Sequence, residues 1–391
     1  MENSIIKPSF VSLFNCIGPE CADSCCNDWR ITFDKQGYKK AVEVPFLADI
    51  AKFALTEIKK DAANWAVVKL DENGACPFLN EQKLCHIHAH SGPQALSYTC
   101  KTYPRNDKIL ATNKYMSMYL SCPEVARIVL FDDAFQFSST ASGSKTVAKA
   151  LPIWLEKTYD YSLDLLVNSN KPWQQALLAI GFLLKTATQA KNNQLEIAQI
   201  DIRHQQLVTM NNNDMLSKSY QELPYNVMPQ THTFIAVHKE VCKVHSRGAR
   251  PRFNALNQAI EAIFDQQQTH AIDEMNKLWN ERVVKVIDNH DELFTRYILY
   301  SMYTDHFPMS DTLEPEQLLQ QLIIDCFMIR CYLSAMYHHQ QGLSQQDVIL
   351  CFQTYSIVRQ HKKKFIEGVK HILSEYDLTS LPAAISLLKT A

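Results

Sequence analysis

Cysteine is the residue type in this sequence with the clearest capacity for chemistry. Of its 12 cysteines, eight lie within the first 122 of 391 residues. These eight are Cys16, Cys21, Cys25, Cys26, Cys76, Cys85, Cys100 and Cys122. Thiolates at short separations bind soft metals, and four of them satisfy a tetrahedral zinc ion or a [4Fe–4S] cluster. The set is therefore large enough for one metal centre with spare thiols or for two centres. The alternative is a group of reduced thiols that pack as small hydrophobic side chains.

The spacing of these cysteines excludes several common cluster patterns. The first four read Cys16-x4-Cys21-x3-Cys25-Cys26. This run matches neither the C-x3-C-x2-C of radical S-adenosylmethionine enzymes nor the ferredoxin patterns C-x2-C-x2-C and C-x4-C-x2-C. Paired C-x2-C zinc knuckles are also missing from the sequence. Neighbouring side chains diverge, so we expect one of Cys25 and Cys26 to be structural or to serve a second centre.

The other candidate metal ligands fit structural roles. Cys242, Cys326, Cys331 and Cys351 lie in apolar surroundings, which predicts that they pack in a hydrophobic core. His86, His88 and His90 alternate with Ile87 and Ala89. In an extended backbone this alternation would place all three imidazoles on one face. We interpret them as the polar face of a strand rather than as a ligand set.

Composition excludes several classes of protein. The chain has 9 glycines and contains no glycine-rich phosphate-binding motif, which argues against a dinucleotide fold and a P-loop. The formal charge of -2 argues against a general nucleic-acid binder. No stretch resembles a membrane span of about 18 apolar residues, and residues 1–14 lack the apolar region of a secretory signal. We therefore expect a cytoplasmic protein with no membrane or nucleic-acid partner.

Hydrophobic periodicity predicts a helical protein behind the cysteine-rich part. Three apolar stripes have helical spacing, and Ser344 is a predicted N-cap for the third. The stripes are Trp173, Leu177, Ile180 and Leu184; Leu322, Cys326, Ile329, Leu333 and Met336; and Val348, Cys351, Tyr355 and Val358. A polar stretch at Asn211, Asn212 and Asn213 reads as a loop between groups of helices.

The predicted fold class is mainly α, with an irregular cysteine-rich metal-cluster domain followed by an all-α helical domain. The segment 136–146 is small, polar and without an apolar period, so it is the expected linker. The domains are accordingly placed at residues 1–135 and 147–391.

Two basic runs leave alternatives open. His361, Lys362, Lys363 and Lys364 read most simply as a solvated helix face. Arg247, Arg250 and Arg252 read as a surface loop, although three guanidinium groups in a loop can also hold a carboxylate.

The ordered cysteine motifs resemble those of a known family. The matching elements are Cys16-Ile-Gly-x-x-Cys21-x-x-x-Cys25-Cys26-x-x-Trp29, Cys76-Pro-Phe-Leu79, Cys85-x-Ile87, Cys100-x-x-Tyr103-Pro-Arg105 and Ser121-Cys122-Pro-Glu124. Together they resemble the flagellin lysine N-methylases, whose front half is similar to small proteins that bind zinc or an iron–sulfur cluster. The helical remainder resembles that family only in length and general character.

The resemblance implies an enzyme with defined cofactors and a defined partner. It implies S-adenosylmethionine as methyl donor, a [4Fe–4S] cluster and surface lysines of flagellin as acceptors, with zinc as the alternative metal. All eight front cysteines are then candidate metal ligands. The sequence offers no glycine-rich donor-binding loop, so the donor pocket cannot be located by a motif.

Candidate donor-binding and catalytic residues lie close to the cysteines in the chain. The aromatic rings of Trp29, Phe78, Tyr98 and Tyr103 could attract the sulfonium cation or simply pack around a cluster. Tyr103 could orient the acceptor amine or take its proton. Arg105 could bind the donor carboxylate or stabilise cluster charge. Alternatively, Tyr103 and Arg105 support the cluster through hydrogen bonds.

Two other functions remain open at this level. In one, a structural zinc site stabilises an adaptor or flagellin-binding protein. In the other, an iron–sulfur centre makes the chain an electron-transfer or redox-sensing module.

Overall fold

A computed structural model describes residues 3–27, 30–141, 150–244, 251–310 and 312–390. Helices dominate the architecture, which confirms the predicted mainly α fold class. The strands are β1 (Ser4–Pro8), β2 (Thr32–Phe33), β3 (Leu55–Glu57), β4 (Ala66–Val68), β5 (Lys108–Leu110), β6 (Asn113–Tyr115) and β7 (Phe137–Ala141).

The helices fall into a front group, which ends at residue 131, and a larger rear group, which begins at residue 153. The front helices are α1 (Ser9–Leu13), α2 (Lys35–Glu43), α3 (Pro45–Ala54), α4 (His86–Ser91), α5 (Tyr98–Thr102) and α6 (Pro123–Phe131). The rear helices are α7 (Ile153–Val167), α8 (Trp173–Lys191), α9 (Ala198–Asn212), α10 (Met215–Gln221), α11 (Val227–Val244), α12 (Pro251–Gln267), α13 (Ala271–Leu278), α14 (Val284–Val286), α15 (His290–Asp305), α16 (Pro315–Gln340), α17 (Gln345–His361), α18 (Lys363–Glu375) and α19 (Leu381–Ser386).

Residues 31–96 form a small lobe with its own hydrophobic core. Its three-stranded sheet has the order β2-β4-β3, and α2 and α3 pack together beside it. Phe33, Leu47, Ala54 and Phe78 are among the buried side chains of this lobe, which form a core separate from the main one. This lobe carries the middle cysteines of the front half.

A four-stranded sheet joins the two ends of the front half. Its order is β5-β6-β1-β7, with β1 parallel to β6 and antiparallel to β7. In the register, Ile5 lies between Lys114 and Thr140. Strand β7 occupies part of the segment 136–146 that we expected to be a linker, and residues 142–146 lie outside the described residues. All five residues of β7 are exposed, so the sequence shows no apolar period there and backbone pairing to β1 makes the strand.

The main hydrophobic core extends across the expected domain boundary. It unites the rear helices with Phe10, Met118, Leu120 and α6 of the front half. Helix α6 contacts both α15 and α17. The end of the cysteine-rich region is therefore fixed to the helical bundle by apolar packing.

Helix α16 is the centre of that bundle. Among the described residues it is the one helix long and apolar enough to cross a membrane by length and composition. Its most apolar stretch is wholly buried inside the protein, as is expected for the core helix of a globular fold. The neighbouring helices α8, α12, α13 and α17 pack against it.

The three predicted helical stripes are confirmed. Trp173, Leu177, Ile180 and Leu184 are all buried on α8, and the other two stripes are buried on α16 and α17. Ser344 caps α17 as predicted: its side chain accepts from the Asp347 amide, and the Asp347 carboxylate accepts from the Ser344 amide. This reciprocal arrangement satisfies two amides at the helix end.

One local prediction is wrong and another is correct only in part. The asparagine stretch is mostly helical, because α9 continues through Asn212 and the buried Asn211 side-chain amide donates to the Ser169 carbonyl at 2.8 Å, and the turn that leads to α10 begins at Asn213. The three alternating histidines do not form a strand, because His86, His88 and His90 lie within α4. For Asn211 a tertiary hydrogen bond outweighs the weak local pattern, and for the histidines the start of a helix at Cys85 does so.

The rear cysteines lie mostly where we predicted. Cys326, Cys331 and Cys351 are buried in the main core. Cys242 is half-buried, and its sulfur lies 3.4 Å from His238 Nε2.

The contact between α8 and α19 gives a test of this packing. A β-carbon added at Gly181 would lie 2.3 to 2.9 Å from three side-chain atoms of Leu381. Overpacking costs about 1–3 kcal/mol, which exceeds the helix-propensity gain of up to about 1 kcal/mol. Gly181→Ala should therefore lower the free energy of unfolding, measured by urea denaturation. Gly342→Ala is the matched control, because nothing lies within 4 Å of its added β-carbon. Equal stability of the two variants would contradict the described contact.

Candidate metal centre

The first four cysteines lie on an irregular loop between α1 and β2. A 3₁₀ turn, Gly18–Glu20, follows Cys16, and the Cys21 amide closes it by donating to the Gly18 carbonyl. The Cys21 thiol donates to the Asp23 carbonyl at 3.2 Å, and the Cys26 amide donates to Ser24 Oγ at 3.3 Å. Local turns therefore order this part of the chain without a regular element.

The next three cysteines come from the small lobe and the segment that leaves it. The Cys76 amide donates to the Cys26 carbonyl at 3.0 Å, which joins the lobe to the first loop. Cys85 forms an isolated bridge with Leu79, and it precedes α4. The Cys100 amide donates to Ser97 Oγ, which caps α5. Short turns and two helix starts thus bring four distant cysteines together.

These four thiols surround a cavity of about 120 Å³. Its walls include Cys26, Cys76, Cys85 and Cys100, with Cys25 and Tyr103 at its edge, and its apolar side chains include Ile31, Phe33 and Phe78. Within the described ranges, no three side chains of His, Cys, Asp or Glu are arranged to hold one metal ion. The thiols line a space rather than meeting at a point. In a [4Fe–4S] cube, four cysteines bind at four different iron atoms, so its ligands surround a space as well.

The front cysteines divide into two groups of four by mutual proximity. The pKa of Cys76 is raised by burial and also by the nearby charges of Cys26, Cys85 and Cys100. The pKa of Cys122 is raised by burial and by Cys21 and Cys16, and Cys122 and Cys16 in turn raise that of Cys25. We call the first group the cavity thiols (Cys26, Cys76, Cys85 and Cys100) and the second the junction thiols (Cys16, Cys21, Cys25 and Cys122).

Cys25 and Cys26 lie where the two groups meet, because Cys25 also lines the edge of the cavity. The prediction that one of them is structural or serves a second centre stays a prediction. The two thiols share a hydrogen bond that favours the Cys26 thiolate. This bond lowers the pKa of Cys26 to about 7 and raises the pKa of Cys25. A depressed thiol pKa increases the fraction of thiolate, the form that binds metal.

The other cavity thiols are protonated at neutral pH. Burial raises the pKa of Cys76 to about 12 and, to a smaller degree, that of Cys85. Cys100 keeps solvent contact as a residue, but packing around its sulfur raises the pKa of the thiol to about 11. Several buried thiols at close range repel one another once ionised. A metal that binds them removes this penalty and releases their protons.

A small polar network connects the segments that carry the junction thiols to the helical bundle. The buried Gln353 of α17 donates to Asp23 Oδ2 at 2.5 Å and to the Ser121 carbonyl at 3.1 Å. Arg252 Nε donates to Gln353 Oε1 at 2.9 Å, and the Arg252 charge lowers the pKa of Cys21 against the larger effect of burial. Arg252 is therefore part of this network rather than of a surface loop. Arg247 and Arg250 lie outside the described residues.

Tyr103 lies where the two thiol groups meet. Its backbone is extended, as the following proline predicts, and its ring lines the cavity. The hydroxyl lies 3.1 Å from Ser121 Oγ. Burial and the nearby charge of Cys122 raise the pKa of Tyr103 well above its usual value. The phenol is thus suited to donating a hydrogen bond rather than to accepting a proton as phenolate.

The other predicted aromatic and cationic residues lie apart from one another. Phe78 is 1% exposed and packs against Phe33, so it lines the cavity as a core side chain. Tyr98 is 76% exposed, and Arg105 is exposed beyond an isolated bridge to Met118. Trp29 lies outside the described residues. The structure therefore brings Tyr103 and Phe78 to the cavity and leaves Tyr98 and Arg105 on the surface.

Two histidines that the sequence analysis assigned to other roles lie near the thiols. Ser121 Oγ lies 2.8 Å from His361 Nε2, so the Tyr103 hydroxyl, Ser121 and His361 form a continuous polar chain. The interpretation of His361 as part of a solvated helix face is wrong, although Lys362, Lys363 and Lys364 are exposed. His88 lines the cavity beside the thiols. The contact of His361 with Ser121 could not be found from a local pattern, because it joins segments 240 residues apart in the chain.

Comparison with known proteins agrees with this division of the chain. Residues 159–387 match the FliB lysine N-methylase C-terminal domain. The chain belongs to the FliB lysine N-methylase family. Residues 15–123 match a zinc- or iron-chelating domain, whose range includes all eight front cysteines. The predicted resemblance of the front half is thus confirmed and extends to the helical part.

Relatives match over nearly the whole length. Proteins named lysine-N-methylase from Salmonella typhimurium and Salmonella choleraesuis are each 22% identical over 395 aligned residues, covering 97% of this chain and 98% of theirs. The flagellar biosynthetic protein FliU of Salmonella muenchen is 34% identical over 166 residues, which are 41% of this chain and 97% of that protein. No solved structure matches this chain.

The Gln353 contacts allow a test of how the first cysteine loop is held against the helical bundle. Gln353→Ala removes the amide that joins Asp23 to Ser121, and loss of a buried hydrogen-bond partner costs about 1–3 kcal/mol. We expect faster amide hydrogen exchange in residues 21–26 and around residue 121, measured by mass spectrometry. Gln346→Ala is the control, because Gln346 is exposed on the same helix. Unchanged exchange in both variants would contradict a role for Gln353 in holding the loop.

Proposed function

We propose that this protein is an S-adenosylmethionine-dependent protein-lysine N-methyltransferase that acts on flagellin and depends on a [4Fe–4S] cluster. The main support is membership of the FliB lysine N-methylase family, together with alignment to proteins of that name over 97% of this chain. The flagellar name of the FliU relative supports a flagellar substrate. The reduced thiols and the absence of a membrane-facing apolar helix among the described residues fit action in the cytoplasm.

The cavity thiols are the proposed ligands of the cluster. They supply four soft donors around one space, and the other walls of that space are largely apolar. The junction thiols form a second four-thiolate set, which would suit a further cluster or zinc. The Arg252 guanidinium beside Cys21 would offset the negative charge of either centre.

The reaction requires an uncharged acceptor amine. A lysine ammonium has a pKa of about 10.4, so neutralising it near pH 7.4 costs roughly 4 kcal/mol. The amine nitrogen then bonds to the methyl carbon while the carbon–sulfur bond of the sulfonium breaks, leaving S-adenosylhomocysteine. Tyr103 is the proposed residue that orients the amine, because its hydroxyl is protonated and held by Ser121. His361 at the end of that polar chain can carry a proton away.

Two other functions make different predictions. A zinc-stabilised adaptor would bind flagellin without modifying it. An iron–sulfur redox module would change its visible spectrum reversibly on reduction and would not transfer a methyl group.

Metal analysis of site-directed variants tests the ligand assignment. Anaerobically purified protein should be brown, with about four irons per chain from the cavity thiols. Cys85→Ser should lose this iron. Cys122→Ser should keep it, because Cys122 is a junction thiol. Cys351→Ser is the control for a buried cysteine far from the metal, and it should retain full metal content. Zinc without iron in the wild-type protein would overturn the cluster assignment, and loss of all iron in Cys122→Ser would overturn the assignment to the cavity thiols.

Methyl transfer to flagellin tests the activity. Incubation with S-adenosylmethionine and purified flagellin should add methyl groups to lysines, detected by intact-mass and peptide mass spectrometry. Tyr103→Phe should keep its iron but lose about tenfold in rate, equivalent to roughly 1.4 kcal/mol of barrier. Arg105→Lys tests the predicted contact with the donor carboxylate in the same assay. Unmodified flagellin in the presence of iron-loaded, donor-binding protein would favour the adaptor or redox functions, and full activity of both variants would remove their proposed roles.

A further inference from the structure

A second cavity, of about 270 Å³, lies between the four-stranded sheet and the helical bundle. Strands β5 and β6 supply Leu110 and Tyr115, helix α7 supplies Leu155, Glu156, Tyr159 and Asp160, and the end of α15 supplies Tyr303 together with the following His306 and Phe307. We call this cavity the tyrosine pocket. It is lined by none of the front cysteines. Its lining therefore combines residues from the sheet, from α7 and from the end of α15.

Negative charge in the tyrosine pocket comes from one helix. Glu156 and Asp160 are four residues apart on α7, so their side chains lie on the same face. No ion pair with either carboxylate is found within the described ranges, and burial is the one cause that raises the pKa of Asp160. Lys108 is a described cation close to the pocket: its Nζ donates to the Thr304 carbonyl at 2.8 Å, and its charge contributes to lowering the pKa of His306. Two exposed acidic residues therefore line this cavity, and neither forms an ion pair with another described residue.

The aromatic rings add a second attraction for cations. Tyr115, Tyr159 and Tyr303 line the same cavity, and burial raises the pKa of each, so all three rings are neutral phenols. The Tyr303 hydroxyl is already bonded to the Met116 carbonyl, which fixes its ring. A cation within about 6 Å of such a ring is attracted to its face, most strongly where water is excluded. Rings combined with carboxylates are suited to an organic cation rather than to an anion or a neutral ligand.

His306 completes the polar lining. Burial lowers the pKa of this imidazole to about 4, so it is neutral and does not oppose a bound cation. Its ring packs edge-on against Tyr115 at 5.0 Å between centroids. Its Nε2 atom is buried and has no hydrogen-bond partner among the described residues. A ligand with a hydrogen-bonding group would satisfy this atom.

We propose that the tyrosine pocket binds one of the two cations that enter the methyl-transfer reaction, either the sulfonium of the donor or the acceptor lysine as its ammonium ion, before that lysine loses its proton. The inference rests on the proposed function, which supplies both cations. Binding of the acceptor lysine in this pocket would come before the loss of its proton and its orientation by Tyr103. Glu156 and Asp160 provide the charge, the tyrosine rings provide the faces, and His306 provides a hydrogen bond. The cysteine cavity holds the metal, so the two tasks are divided between two sites.

Direct binding measurements with the iron-loaded protein test this pocket independently of catalysis. Calorimetry should give tighter binding of S-adenosylmethionine than of S-adenosylhomocysteine, because only the first has a charged sulfur. If the donor occupies the pocket, Asp160→Asn and Tyr159→Leu should weaken S-adenosylmethionine binding at least tenfold. Tyr159→Phe, which keeps the ring, should have a much smaller effect. Glu196→Gln is the charge-matched control on an exposed acid outside the pocket.

A second set of measurements distinguishes the two cations. If the acceptor lysine occupies the pocket, the same variants should leave donor binding unchanged and raise the KM for flagellin at least tenfold, with Nα-acetyl-lysine amide as the small binding probe. Folded, iron-loaded variants that alter neither donor binding nor lysine binding would overturn the proposal. Wild-type protein that binds S-adenosylmethionine through Asp160 without methylating flagellin would retain the pocket and overturn the proposed function instead. Normal flagellin methylation by all pocket variants would retain the function and overturn the pocket.

Discussion

Hydroxyl groups on α15 hold the end of the cysteine-rich region against the helical bundle. Tyr300 donates to the Met118 carbonyl and accepts from the Leu120 amide, while Gln360 donates to the same hydroxyl. Tyr303 donates to the Met116 carbonyl, and Ser117 and Thr304 share a hydrogen bond of 2.8 Å. These bonds satisfy backbone groups of a buried irregular segment, which would otherwise be costly to leave unpaired. They place Cys122 beside the first cysteine loop and β6 beside α7.

The junction thiols and the tyrosine pocket both depend on the attachment of residues 116–122 to α15. The junction thiols require Cys122, which enters the main core with α6, to meet Cys16, Cys21 and Cys25 from the other end of the front half. The tyrosine pocket requires Tyr115 of β6 to face Tyr303 of α15. A change that separated residues 116–122 from α15 would therefore disturb metal binding and the pocket together. This connection gives a physical reason for the two matched domains to occur on one chain.

The cysteine cavity illustrates how metal binding and folding are linked. The lobe beside this cavity has a small core, and two of its strands are only three residues long. The thiols of Cys76, Cys85 and Cys100 have raised pKa values, so they are protonated until a metal binds. Such a lobe gains much of its stability from metal when thiolate ligands replace thiols. The helical bundle has an extensive apolar core and does not need this contribution.

The sequence by itself determined the helical class, the three buried stripes and the Ser344 cap, because these follow from local periodicity and from the chemistry of helix ends. It also determined that the eight front cysteines are the candidate ligands. Tertiary structure decided which of them lie close together, since Cys76 comes beside Cys26, and Cys122 beside Cys25, from distant segments of the chain. The same reason explains why His361, Gln353 and the tyrosine pocket could not be found from spacing. The front-half partners of His361 and Gln353 lie more than 200 residues away, and the pocket combines residues of three separate segments. Pairing over such distances is set by packing of whole elements rather than by any local pattern.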